Sequence, residues 1–175
     1  LGRNIAATFA KGFDAVILEN HGVVTGGPDL LTAFQRFETL EFCARSSLAA
    51  ARLGKPRVLS DRELALIDHE KHLRYPEFTP RAHGSREREL RRELIRTVHR
   101  AYDQRLMTST EGSLSARVDE RSFLVTPFGI DRKHLDTGDL VLIEDGKRDA
   151  GPPPSRAPPL HDEIYRSHPG ANAII

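Results

Sequence analysis

Apolar positions recur with helical and strand periods along this 175-residue chain, and the places where one period gives way to the other divide it into elements. Residues 3–11 are a short helix candidate. Asp14-Ala-Val-Ile-Leu18 is a continuous apolar run that predicts a buried strand. Glu19-Asn20-His21-Gly22 is turn chemistry, because Asn and Gly tolerate positive φ, and Val23-Val24-Thr25 resumes a strand. His21 is thereby placed at the tip of a tight strand–turn–strand unit. Pro28-Asp29 opens a helix predicted to reach Leu53, with Leu31, Phe34, Phe37, Leu40, Ala44 and Leu48 at three- and four-residue spacing. Gly54-Lys55-Pro56 ends it, and its apolar face calls for a core to pack on, with Cys43 in or near that core.

The pattern turns polar from Arg57 to Arg86. Ser60-Asp61-Arg62-Glu63 is a capping box for a helix near 61–73. Tyr75-Pro-Glu-Phe-Thr-Pro-Arg-Ala-His-Gly84, with two prolines and a glycine, reads as a linker and as a module boundary. An amphipathic helix over about 86–105 presents Leu90, Leu94, Val98 and Tyr102 on one side. It is followed by a hydroxyl-rich loop, Thr108-Ser-Thr-Glu-Gly-Ser-Leu-Ser115, then strands at 115–118, Ser122–Thr126 and Leu140–Ile143, with Asp145-Gly146 as a turn. Pro152-Pro-Pro-Ser-Arg-Ala-Pro-Pro159 leads stiffly into a helix at 160–168, whose positive amino end suits Asp162 and Glu163. Helices and strands alternate irregularly, as in an α/β layered fold.

Composition narrows the function classes. Lys plus Arg total 26 against 25 Asp plus Glu, so no overall field points toward nucleic acid or an anionic membrane surface. The lone Cys43 excludes an internal disulfide framework and a Cys-rich zinc site. No apolar run approaches the roughly 20 residues of a membrane-spanning helix, and no basic-then-apolar signal pattern opens the chain, so the expected location is cytoplasmic. The chain begins at Leu1 and stops in the apolar stretch Ala171-Asn-Ala-Ile-Ile175, the opening of a buried strand, so both ends are expected to be cuts.

Two stretches resemble the class II aldolase/adducin superfamily. The first is Ala15-Val-Ile-Leu-Glu-Asn-His-Gly-Val-Val-Thr-Gly26 with the long helix after it, similar to the late Leu-x-x-His-Gly strand pair of that family. The second runs from about Glu87 to Ile175 through Gly112-Ser-Leu-Ser-Ala-Arg117, Phe123-Leu-Val-Thr-Pro-Phe-Gly129, Asp139-Leu-Val-Leu-Ile143, Pro154-Ser-Arg-Ala-Pro-Pro-Leu-His161 and His168-Pro-Gly-Ala-Asn-Ala-Ile-Ile175. A late piece precedes an early one. The resemblance therefore implies two partial modules of a class II aldolase-like layered sheet with flanking helices: the C-terminal part of one over 1–80 and the N-terminal part of another over 85–175.

The resemblance implies a lyase, epimerase or dehydratase acting on a sugar phosphate or related carbohydrate, in a homo-oligomer, with a divalent metal, usually zinc. Three histidines hold that metal in the family, and His21 matches the one in the His-Gly turn. The other two would lie upstream of Leu1 for the first module and just after Ile175 for the second. Thr110, Gly112, Ser113, Gly129, Ser155 and Arg156 fall at or beside phosphate-cradle positions, with Ser113 where the enzymes usually have Asn and Phe128 where some have a hydroxyl residue. The catalytic carboxylate is missing. Where the aldolases carry Pro-Ser-Ser-Glu, this chain has Pro154-Ser155-Arg156-Ala157, and an alanine cannot move a proton. The second module is thus expected to be degenerate, and the competing class is a non-catalytic scaffold like the adducin heads. His161 reads as packing or support for neighbouring groups, and His69, His72, His83, His99, His134 and His168 as surface or helix residues.

Overall fold

A computed structural model describes residues 2–69, 75–79 and 81–175. The chain forms two compact units, Leu1–Val58 and Leu59–Ile175.

The first unit is built on a hairpin. Strands β1 (Ala15–Leu18) and β2 (Gly22–Thr25) pair antiparallel in the register Ala15↔Thr25 and Leu18↔Gly22. The reversal between them needs Asn20 at φ 58 and Gly22 at φ 147, the left-handed conformations that Asn and Gly accept at least cost. Helix α1 (Gly2–Phe9) precedes the hairpin, and the 24-residue helix α2 (Leu30–Leu53) follows it. Asp29 caps α2 by accepting from the Thr32 N–H at 2.7 Å. Arg36 ties α2 to the hairpin through Asp14, at 2.9 Å, and the Gly26 carbonyl.

Two expectations fail here. Neither β1 nor α2 contains a buried residue: Ile17 is 73% exposed, and Leu31, Phe34, Phe37 and Leu48 on α2 are all open. Cys43 is exposed as well, not near a core. The apolar spacing along α2 specifies a face that could be buried, but within this unit that face is covered only in part.

The second unit has a true core. Helix α3 (Asp61–His69) starts at the expected capping box: Ser60 N–H and Oγ both donate to Glu63 Oε2 at 2.8 Å. The remainder of the predicted helix, 70–73, lies outside the described residues, as do His72 and Pro80. Helix α4 (Ser85–Asp103) is followed by strands β3 (Ser115–Arg117), β4 (Ser122–Val125), β5 (Val141–Glu144), β6 (Lys147–Arg148) and β7 (Ala173–Ile174), with helix α5 (Pro158–Ser167) before the last. They make one antiparallel sheet in the order β6-β5-β4-β3-β7.

Side-chain alternation sends β4 and β5 into two cores at once. Leu124 and Leu142 pack on one face with Leu94, Ile95 and Val98 of α4 and with Leu114, Leu135 and Leu140. Phe123, Val125, Val141 and Ile143 face the other way onto Tyr165 of α5. The result is three layers, helix on sheet on helix, in which each fully buried aliphatic side chain contributes about 1.5–3 kcal/mol.

Three readings of the sequence are revised. The proline-rich stretch at 75–79 is docked: Phe78 N–H donates to Arg148 O and Arg148 N–H to Pro76 O, both at 2.9 Å, along β6. Helix α5 begins at Pro158, two residues early, so Asp162 and Glu163 sit beyond its first turn and pair with Arg166 instead of the helix dipole. Finally β7 is an edge strand, its Ala173 exposed and Ile174 half-buried, not a buried one.

Candidate functional site

At the end of β4 the chain leaves the sheet at Thr126-Pro127, and three hydroxyls converge there. Ser113 Oγ, just before β3, lies 2.8 Å from Ser155 Oγ, just before α5, and 3.3 Å from Thr126 Oγ1. Backbone bonds hold the three in place. Thr126 N–H donates to Leu114 O at 3.0 Å, Ser155 N–H donates to Thr126 O at 3.0 Å, and Leu114 N–H donates to Thr126 Oγ1 at 3.2 Å. Thr126 is fully buried and Ser155 nearly so, whereas Ser113 is half-exposed. Ser113, the most open of the three, is the one placed to turn its hydroxyl toward an incoming anion.

Around this cluster the loops are laced together. Phe128 N–H donates to Pro153 O at 2.8 Å, joining the turn that carries Gly129 to the segment that carries Ser155. Gly112 and Gly129 have φ of +100 and +71. A Cβ on Gly112 would meet Met107 Cβ at 2.9 Å, while one on Gly129 would meet open space. Thr110 is half-buried two residues before Gly112. Arg156 is exposed and makes no hydrogen bond or ion pair among the described residues.

Of the residues singled out from sequence, the fold therefore brings Ser113 and Ser155 into direct contact, with Gly112 beside them. Thr110, Gly129 and Arg156 are neighbours of the loops without a bond into the cluster. Two further residues have parts that the sequence reading did not give them. Thr126 is the hub of the hydroxyls, and only its place before Pro127 hinted at a special turn. Arg132 sits in the stretch Asp131-Arg132-Lys133-His134, which has the composition of a surface loop, yet it is 1% exposed.

His161 on α5 is 4% exposed, and its Nδ1 has no hydrogen-bond partner among the described residues. Burial pushes its pKa below the ordinary value of 6.5, which keeps the ring neutral. Its place is within the packing, as read from sequence. His83 and His99 instead reach partners at Glu87 and at the Leu135 carbonyl.

In the first unit, His21 occupies the hairpin turn and is exposed. Its Nδ1 lies 3.0 Å from the carbonyl oxygen of Glu19. A carbonyl can only accept, so Nδ1 is the donor here, and in the neutral ring this leaves Nε2 as the nitrogen open to a metal. One imidazole is not a metal site. Among the described residues no group of three or more His, Cys, Asp or Glu could hold a metal ion.

Comparison with known proteins places the chain in a family. The model of the Class II Aldolase and Adducin N-terminal domain matches residues 1–48 and 92–175, two segments consistent with two partial modules. The chain belongs to the class II aldolase/adducin family. It is 35% identical over 69 residues to methylthioribulose-1-phosphate dehydratase of Sodalis glossinidius, covering 38% of this chain and 34% of that protein. It is 33% identical over 87 residues to L-fuculose phosphate aldolase of Escherichia coli K12, covering 49% of this chain and 40% of the other. Among solved structures, YgbL from Escherichia coli aligns with a TM-score of 0.47 at 31% identity, over 50% of this chain and 42% of its own. The chain thus spans well under half the length of the relatives it matches. No described helix is long and apolar enough to cross a membrane.

Proposed function

We propose that this chain is part of a class II aldolase-type enzyme acting on a phosphorylated sugar or a related carbohydrate, and that the second unit holds the phosphate. The observation that carries this reading is the convergence of Ser113, Thr126 and Ser155 at one end of the sheet. Thr110, Gly112, Gly129 and Arg156 complete the surroundings: glycines where backbone N–H groups can approach a ligand, and an unpaired guanidinium that could bind phosphate oxygens as a fork. Residues 1–80 are read as the C-terminal part of one module and 85–175 as the N-terminal part of another, in a cytoplasmic homo-oligomer. Exposed Phe34 and Phe37 on α2 support association.

The described residues do not make up a complete metal site by themselves. Under this proposal His21 supplies one neutral imidazole, with Nε2 free, to a divalent ion, zinc by preference, whose other donors come from outside residues 1–175. Such an ion would polarise carbonyl and hydroxyl oxygens of the substrate. The chain's own contribution in the second unit is binding and orientation. Ala157 carries no proton, so acid/base work has to come from elsewhere in the protein.

Ala157 also favours a second reading, in which the second unit is a non-catalytic scaffold module like the adducin heads. Calorimetric titration with glycerol phosphate and with glycerol separates the two. A phosphate site binds only the ester and weakens in Ser113→Ala/Ser155→Ala; a scaffold module binds neither.

A further inference from the structure

Three observations meet beneath the hydroxyl cluster. The first is a buried cation without a counter-ion. Arg132, 1% exposed, donates from Nε and Nη2 to Gly112 O at 3.3 and 3.0 Å and from Nη1 to Ile130 O at 2.9 Å. No carboxylate forms an ion pair with it among the described residues, although the fields of Glu111 and Asp131 reach it. Burial lowers its pKa, but a guanidinium so basic stays charged.

The second is peptide geometry. No peptide bond in the described chain is cis, and in a trans peptide the C=O and N–H point in opposite directions. The fork that grips Gly112 O from one side therefore turns the Ser113 N–H away from the guanidinium. That N–H has no acceptor among the described residues. Drawing charge onto Gly112 O also makes the same peptide's N–H a stronger donor.

The third is a deficit at α5. Helix amino ends usually offer several N–H groups to an anion. Here Pro158 and Pro159 have none, and Ala157 N–H is directed to Ser155 Oγ at 3.4 Å. The backbone at this helix end therefore lends the site little positive character.

We propose that Arg132 is a positioning residue of the anion site: its guanidinium fixes the Gly112–Ser113 peptide with the Ser113 N–H free for the ligand, and its unneutralised charge favours the dianionic form of a phosphate monoester. This rests on the phosphate reading above and adds a residue and a charge preference to it.

The test is a titration of glycerol phosphate into the whole chain at about pH 5 and about pH 7.5, either side of a monoester's second pKa of about 6. Amide spectra are recorded alongside. The wild type is expected to bind more tightly at the higher pH and to shift the Ser113 amide resonance. Arg132→Gln is expected to lose about tenfold in affinity, and the pH preference with it. Arg132→Lys keeps the charge without the fork, so it retains the pH preference but binds more weakly than wild type. It also serves if the Gln variant fails to fold, with near-ultraviolet circular dichroism as the check. A merely structural Arg132 would not move the pH preference. Unchanged affinity and pH preference in folded Arg132→Gln, or a pH preference lost in folded Arg132→Lys, overturns the inference; if Ser113→Ala/Ser155→Ala still weakens binding, the phosphate reading survives it. No binding of glycerol phosphate to the wild type overturns both.

Discussion

The hydroxyl of Ser115 on β3 and the phenol of Tyr165 on α5 lie 2.7 Å apart in the interior of the second unit. Around them Arg117 stacks over the Tyr165 ring at 4.6 Å and donates to the Tyr165 carbonyl at 2.6 Å, and Phe123 packs against the ring with centroids 5.3 Å apart. This contact sets α5, and with it Ser155, against the sheet that carries Ser113 and Thr126. Tyr165→Phe keeps the ring but strands Ser115 Oγ, so it is expected to cost about 1–3 kcal/mol in denaturant unfolding. Adding Ser115→Ala removes the stranded group and should recover part of that loss.

Arg91 is expected to be the most damaging charge to remove. It is 5% exposed at the side chain and meets Glu87 at 2.9 Å and Asp149 at 3.0 Å, with the Thr137 and Leu140 carbonyls also accepting from it. Arg91→Met leaves Glu87, 2% exposed, with only the His83 ring in contact and Arg81 at 3.7 Å, and should cost about 3–5 kcal/mol. Chemical denaturation of Arg91→Met beside Arg91→Met/Glu87→Met checks this: the double variant should be the more stable of the two.

The glycines of the two site loops differ in what they tolerate. Gly129→Ala meets open space and pays only for its positive φ, roughly 1–2 kcal/mol. Gly112→Ala adds a collision with Met107 Cβ, so it should be the more destabilising in thermal unfolding and should also displace the Ser113 peptide. Equal effects at the two positions would mean that the loop yields freely.

Much of this architecture is legible in the sequence because local chemistry specifies it. Asn20 and Gly22 dictate the hairpin turn, Asp29 and Ser60 the helix starts, and the alternation through Phe123-Leu124-Val125 a strand with two buried faces. What is not legible depends on partners distant in sequence. Nothing near Arg132 distinguishes it from the exposed Lys133, since its burial is set by Gly112, twenty residues earlier. The exposure of α2 and Cys43 is likewise invisible, because helical periodicity marks a face fit for burial without saying what covers it. Short two-residue strands such as β6 are fixed by pairing across Asp145-Gly146, not by their own residues.

His161 gives the second unit a pH dependence whose sign follows from its lowered pKa. The unfolded chain titrates near the ordinary value of 6.5 and binds a proton that the buried ring resists. The stability held by the neutral ring is therefore complete above about pH 6.5 and is lost as pH falls toward the folded-state pKa. Unfolding free energies measured from pH 8 downward should fall more steeply for wild type than for His161→Gln. Parallel curves would contradict a depressed His161.

The central claim, that this chain serves a metal-dependent enzyme of its family, is tested most directly by elemental analysis of the full-length protein purified without chelators, as wild type and as His21→Ala. His21 is exposed in a turn whose conformation rests on Asn20 and Gly22, so the substitution should leave the fold intact. About one zinc or similar divalent ion per wild-type chain is expected, with a sharp fall in the variant. A wild-type protein that carries no metal, or a variant that keeps the full complement, would contradict it.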